Sequence, residues 1–232
     1  MQSREVQSRE VQSREVQRDD PDIALVTGSG GELTLLIDDV QAMQAWEHDL
    51  MCRAADLLCE RGTDFLEAGL GLGISARHIA GRPNVRRHVV VEKYPKVIEL
   101  FRQENPDPPE ELRIVRADFF DFVDSLREDS VDGVFFDPEL PKDVFEDRDL
   151  LDAFMPKLLR ALRPGGRFVP MFAVDGGVPD AATCTTSPGA MVERYLRFFD
   201  RVVLERLPYI AYADTEYTPA RTGDAFVLCF QR

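Results

Sequence analysis

From Ile23 onward the chain alternates short apolar blocks with clusters of acids, glycines and prolines. The spacing inside those blocks switches between the two-residue period of strands and the helical period. The stretch IALVTGSGGELTLLI predicts two short strands around a turn at Gly28-Ser29-Gly30-Gly31. Asp38 or Asp39 then offers an N-cap for a helix reaching about Glu60. Beyond it, strands at Phe65–Ala68, His88–Glu92, Leu112–Val115, Val131–Asp137 and Arg167–Phe172 alternate with helices. The helices are expected at Ile74–Ala80, stopped by Gly81, and at Pro95–Gln103, Leu150–Leu162 and Ala190–Phe199. Over Leu150–Leu162 the residues Leu151, Phe154, Met155, Leu158 and Leu162 share one face. Val202–Leu207 and Ala225–Phe230 are two final strands with no helix between them, so they pair antiparallel. The pattern predicts an α/β fold, a mostly parallel sheet covered on both faces.

Residues 2–16 read QSREV three times over. A five-residue period builds no continuous apolar stripe, so residues 1–21 are expected to form a flexible arm. Residues 22–61 would then be N-terminal strands and a helix capping an active site, and 62–232 a ligand-binding domain. Composition sharpens this only slightly. The 232 residues are 44 % hydrophobic, enough for a sizeable core, and no apolar run is long enough to span a membrane. The N-terminus lacks the apolar segment of a secretory signal. Cys52, Cys59, Cys184 and Cys229 show neither a CxxC pair nor metal-ligand spacing, which fits reduced thiols in a cytoplasmic protein without a bound metal. A net charge of −14 argues against nucleic acid as a partner and suits either a small cationic substrate or simple solubility. A homodimer stays open.

The candidate chemistry starts at DFLEAGLGLGISA, residues 64–76. Gly69, Gly71 and Gly73 follow a predicted strand, where open α/β sheets bind ligands. Gly71, Gly73 and Ala76 also satisfy a dinucleotide pattern, so the glycines alone leave two ligands open. Glu67 stands at the turn itself and would repel a pyrophosphate. Glu92 ends the next strand, where an acid meets a ribose. Asp118 and Phe119 follow the third strand, suited to an adenine amine and face. A helix, Pro164-Gly165-Gly166 and a strand come later. In this order the features resemble the class I S-adenosylmethionine-dependent methyltransferases over about residues 62–232. The resemblance implies a Rossmann-like, seven-stranded, mostly parallel sheet with an antiparallel last strand. It implies S-adenosyl-L-methionine as cofactor. Glu67, Gly69, Gly71 and Gly73 would line the methionine part, Glu92 the ribose, and Asp118 with Phe119 the adenine, with Lys93 a further cofactor-binding residue.

Two further acids mark the acceptor side. Asp137 ends the fourth strand in VDGVFFDPELP, and Glu47 falls in the middle of the apolar stripe Val40, Met43, Leu50, Met51, Ala54, Leu57 and Leu58 of the expected helix. A carboxylate there needs a cation, either an arginine such as Arg53, Arg77 or Arg82, or a ligand. MQAWEHDLM, residues 43–51, resembles the opening segment of the guanidinoacetate N-methyltransferase family, whose hallmark is a Trp-Glu pair with an Asp after strand four. By that resemblance Glu47 and Asp137 clamp a guanidinium, Asp137 takes the proton, and Trp46 walls the pocket. Where the family continues Thr-Tyr-Pro, this chain has Pro138-Glu139-Leu140-Pro141, and Glu139 adds a third acid to the substrate site. Free L-arginine suits that acid better than guanidinoacetate. The rival readings are an enzyme of the same fold acting on another small amine, such as an aminopropyl transferase, an NAD-dependent oxidoreductase, and a non-catalytic relative.

Overall fold

A computed structural model describes residues 21–28, 30–176 and 186–232. The QSREV arm, Ser29 and Cys184 lie outside the described residues.

The chain begins with three strands, β1 (Ile23–Thr27), β2 (Leu33–Ile37) and β3 (Val40–Gln44), in a small antiparallel sheet of that order. The helix expected to start at Asp38 or Asp39 is therefore corrected. Asp38 and Asp39 take φ values of 51° and 61°, a left-handed pair that turns a hairpin instead of capping a helix. Val40 and Met43 consequently sit on a strand. A short 3₁₀ turn (Ala45–Glu47) then leads into α1 (His48–Leu58). The Glu47 carboxylate accepts a hydrogen bond from the Gln44 backbone N–H at 2.7 Å, fixing this entry.

The main sheet follows. In chain order its elements are β4 (Asp64–Ala68), α2 (Ile74–Ala80), β5 (Arg87–Glu92), α3 (Pro95–Glu104), β6 (Leu112–Arg116), α4 (Phe119–Asp124) and β7 (Val131–Phe136). Then come α5 (Lys142–Glu146), α6 (Arg148–Ala161), β8 (Leu162–Pro170), β9 (Ala173–Val174), α7 (Pro188–Tyr195), β10 (Arg201–Ile210) and β11 (Thr222–Gln231). Seven strands run in the order β10-β11-β8-β7-β4-β5-β6, with short β9 paired to β11. β6, β5, β4, β7 and β8 are parallel, and β11 and β10 join antiparallel. The Pro164-Gly165-Gly166 turn lies inside β8. Val131 pairs with Leu162 and Gly133 with Arg167, so residues 163–166 loop out of the ladder.

The two-residue period divides the core as the sequence pattern requires. Phe65, Val90, Phe135, Val169 and Val227 face α1, α2 and α3. Leu66, Val91, Val134, Phe168 and Leu228 face α4, α6 and α7. The face of α6 bearing Leu151, Phe154, Met155 and Leu158 is buried as expected. The first strand, β4, has β5 on one side and β7 on the other, so the chain reverses its direction of travel across the sheet at β4. Open α/β sheets bind their ligands at the carboxyl ends of the strands at such a point.

Candidate active site

A cavity of about 530 Å³ opens at that switch point. Its wall includes Gly69 after β4, Glu92 at the end of β5, Asp118 and Phe119 after β6, and Asp137 and Glu139 after β7. The N-terminal sheet contributes Leu35, Ile37, Ala42 and Met43, and Glu47 joins them from the turn before α1.

One part of the wall has close backbone and buried acids. A Cβ on Gly69 would stand 2.7 Å from the Asp137 carbonyl oxygen, and one on Gly71 would stand 2.7 Å from Met43 Sδ. Both glycines have positive φ, 84° and 51°, so no other residue fits the turn without strain. Glu92 is buried and accepts from the Leu70 N–H at 2.9 Å and the Tyr94 N–H at 2.7 Å. Burial raises its pKa, opposed by those backbone bonds. Asp118 caps α4 through the Phe120 N–H at 2.9 Å, and Lys93 Nζ lies 3.6 Å from its other oxygen. Phe119 borders the cavity and also packs against Phe136 and Phe154.

The other part is acidic. Glu47 is 3 % exposed, and its Oε2 accepts no hydrogen bond from any described residue. The pKa of Glu47 is well above the ordinary carboxylate value, first because of burial, then because Asp137 and Glu139 are near. Asp137 lines the cavity. Its carboxyl accepts no hydrogen bond among the described residues, and burial, with the charge of Glu67, pushes its pKa up to about 7. Glu139 is pushed up to about 8 by burial and by Asp137, opposed by a 3.0 Å hydrogen bond from the Tyr217 hydroxyl. None of the described residues forms an ion pair with any of the three. Arg53 instead holds Glu205 bidentately at 2.6 and 2.7 Å, Arg82 pairs with Asp56, and Arg77 is exposed. Nor is Asp137 a capping acid. The N-cap of α5 is Pro141 and that of α6 is Asp147.

Three of the residues expected at the site stand behind the wall. Glu67 does not line the cavity and points to α2, where it accepts a short hydrogen bond from Ser75. Its Oε2 lies 3.0 Å from His88 Nε2 but out of hydrogen-bond alignment. Gly73 starts α2 in the left-handed region, φ 73°, packed against the Phe101 ring. Trp46 donates to Gln44 Oε1 at 2.9 Å and packs on Phe172 and Tyr209, and of these three rings only Phe172 lines the cavity. His48 is exposed beside Asp49, away from the cavity. Tyr217 went unseen in the sequence. It lies on the loop between β10 and β11, which carries no motif, and reaches the wall only because that loop folds back over β3.

Comparisons with known proteins agree with this geometry. A spermidine synthase from Thermotoga maritima superposes with a TM-score of 0.63 at 15% identity, covering 93% of this chain and 70% of that one. A spermidine synthase in complex with the transition-state analogue AdoDATO gives 0.65 at 15% identity with the same coverages. The precorrin-6y C5,15-methyltransferase from Geobacter metallireducens GS-15 gives 0.55 at 17% identity, covering 79% and 88%. At such identities the likeness shows the fold alone. No curated protein sequence matches the chain. The family model for guanidinoacetate N-methyltransferase, however, matches residues 27–169, from the N-terminal sheet through most of β8. The methyl donor of that family is S-adenosyl-L-methionine, and the wall fits it. Gly69 and Gly71 present bare backbone to the cavity, and each Glu92 oxygen keeps a lone pair for a hydroxyl donor. With more than half of its length matched, the chain belongs to the guanidinoacetate N-methyltransferase family of S-adenosyl-L-methionine-dependent methyltransferases.

Proposed function

We propose that the methyl acceptor is the guanidino group of a small molecule, free L-arginine or a guanidinoacetate-like compound, held between Glu47 and Asp137. The observation that carries this reading is the presence of these two carboxyl groups in one wall, neither of them in an ion pair with any described residue. A guanidinium is planar and offers forked N–H donors that match carboxylates bidentately. It answers both the missing charge and the missing hydrogen bonds.

The residues also fit the chemistry. Guanidines have a pKa above about 12, so the acceptor arrives protonated, its lone pairs delocalised. Glu47 and Asp137 on two edges would draw the positive charge toward themselves and away from the reacting nitrogen. S-adenosyl-L-methionine supplies an electrophilic methyl on a sulfonium. As the nitrogen–carbon bond forms and the carbon–sulfur bond breaks, the nitrogen must lose one proton. Asp137, with an elevated proton affinity and no competing hydrogen bond from the described residues, is suited to receive it. Glu47 keeps its hydrogen bond from the Gln44 N–H and serves as the fixed half of the clamp. The apolar side chains of Leu35, Ile37 and Met43 roof the cavity and keep water from the reacting atoms.

Glu47→Gln tests the reading. It is expected to lower kcat/KM for a guanidine by roughly a hundredfold or more, the usual effect of leaving one partner of a charge-assisted pair unmade. Affinity for S-adenosylhomocysteine, measured by calorimetry, should persist. A Glu47→Gln enzyme that binds the cofactor and keeps full activity on guanidines would remove the clamp from the account.

A further inference from the structure

The clamp uses two carboxyl groups, and a third stands beside them. Glu139 is built into the wall by parts of the chain far apart in sequence. The Tyr217 hydroxyl contacts Glu139 Oε2 at 3.0 Å and the Gln41 carbonyl oxygen at 2.5 Å. The loop bearing Tyr217 is itself tied to β3. The Glu216 N–H donates to Gln41 Oε1 at 2.8 Å, and Gln44 Nε2 donates to Asp214 at 3.2 Å. Glu139 is thus a positioned group, unlike a solvated surface acid, and its carboxyl faces the same cavity as Asp137.

A simple guanidine leaves one of the three acids without a partner. A guanidinium between Glu47 and Asp137 occupies those two carboxyl groups, and Glu139 then has no donor from the acceptor. Among the described residues, Lys93 is the sole basic side chain in the wall, and it is occupied with Asp118 beyond Glu92. A carboxylate on the acceptor's tail would find no cation there and would lie near Glu139. A tail ending in an ammonium group would find an oriented acceptor. We infer that the acceptor is a guanidine carrying a second cationic group, an amine, on its tail, and that Glu139, oriented by Tyr217, binds that amine. The inference rests on the guanidino reading above and narrows it to amine-bearing guanidines, setting aside a guanidinoacetate-like acceptor whose tail carries only a carboxylate.

The test uses three guanidines of similar length that differ at the tail: agmatine, with an ammonium group; pentylguanidine, with a methyl group; and guanidinobutanoate, with a carboxylate. Methyl transfer is followed by mass spectrometry in wild type, Glu139→Gln and Tyr217→Phe, with S-adenosylhomocysteine affinity measured alongside. Wild type is expected to prefer agmatine over pentylguanidine at least tenfold in kcat/KM, with guanidinobutanoate the poorest. Glu139→Gln should reduce that preference about tenfold, the loss of roughly one charge contact, and Tyr217→Phe should reduce it severalfold. Equal use of the three guanidines by wild type, or an unchanged preference in Glu139→Gln, overturns the inference and leaves the clamp standing. If no guanidine is methylated while the cofactor product still binds, the guanidino reading fails and takes this inference with it. Should Glu139→Gln not bind the cofactor product, the wild-type preference decides alone.

Discussion

Asp137→Asn should make the ligand-free protein more stable while removing most of its activity. Asp137 is pushed up from 3.8 to about 7 in the folded chain. At 1.36 kcal/mol per pH unit, that displacement amounts to roughly 4 kcal/mol against the charged form. Because the carboxyl borders a cavity open to water, screening reduces it, and about 2 kcal/mol is the working figure. The sign follows from proton linkage. Between its unfolded and folded pKa the native state holds more protons than the unfolded state, so stability falls as pH rises through that window. The loss starts near 3.8, is complete above about 7, and is absent in the amide variant. The advantage of Asp137→Asn over wild type therefore grows from about pH 4 to about pH 7 and then levels off. For a chain of this size each kcal/mol moves Tm by about 2–4 °C, so the gain at the plateau is about 4–8 °C. Thermal unfolding of both proteins across that pH range, without ligand, provides the measurement. Activity on a guanidine should fall by about 10²–10⁴-fold, the usual contribution of a positioned base. A Tm difference that stays constant with pH, or a variant less stable at every pH, would refute the placement of a charged, unpaired Asp137 in the cavity.

Three further outcomes are expected. The kcat/KM of a guanidine should rise with pH through the range 7 to 8 and level off only above it, because Asp137 and Glu139, raised to about 7 and about 8, must be ionised to receive a cation. The kcat profile should lie at lower pH, since a bound guanidinium lowers the pKa of its carboxylate partners, and coincident profiles would count against the clamp. Glu92→Gln places an amide N–H₂ against one of two backbone N–H donors and should weaken S-adenosylhomocysteine binding by about 1–3 kcal/mol in calorimetry. Gly71→Ala adds a Cβ 2.7 Å from Met43 Sδ at a φ of 51°. It should cost about 1–2 kcal/mol in denaturant unfolding and weaken cofactor binding as well.

The strands and helices of the main sheet were legible because each carries its own signal. The alternation in Phe65–Ala68 and Val131–Phe136 and the helical stripe of α6 are local patterns, and both faces of the sheet then follow. The N-terminal hairpin departs from its sequence pattern for an equally local reason. Asp38-Asp39 before an apolar run is a helix start by composition, and only the left-handed backbone at both residues reveals the turn. Two short helices, α4 and α5, and the two-residue β9 fell below the length at which periodicity speaks. At the site, Glu47, Glu92, Asp118, Asp137 and Glu139 stood out because they end strands or interrupt apolar stripes, and all five face one cavity. Glu67 and Trp46 stood in similar positions, yet side-chain direction sends them behind the wall, toward Ser75 and toward Phe172 and Tyr209. Tyr217 lies 78 residues from Glu139 on a loop without a motif, so only the folded chain brings the two together.

The central claim is that an acidic cavity beside the methyl-donor site holds a guanidino group for methylation. Incubation of the full chain with S-adenosyl-L-methionine and a panel of guanidines and simple amines, followed by tandem mass spectrometry, tests it most directly. The account predicts that a guanidine gains the mass of one methylene group, located by fragmentation on a guanidino nitrogen, and that Asp137→Asn abolishes the gain. Transfer to amines alone, or to no member of the panel while S-adenosylhomocysteine still binds, would contradict it.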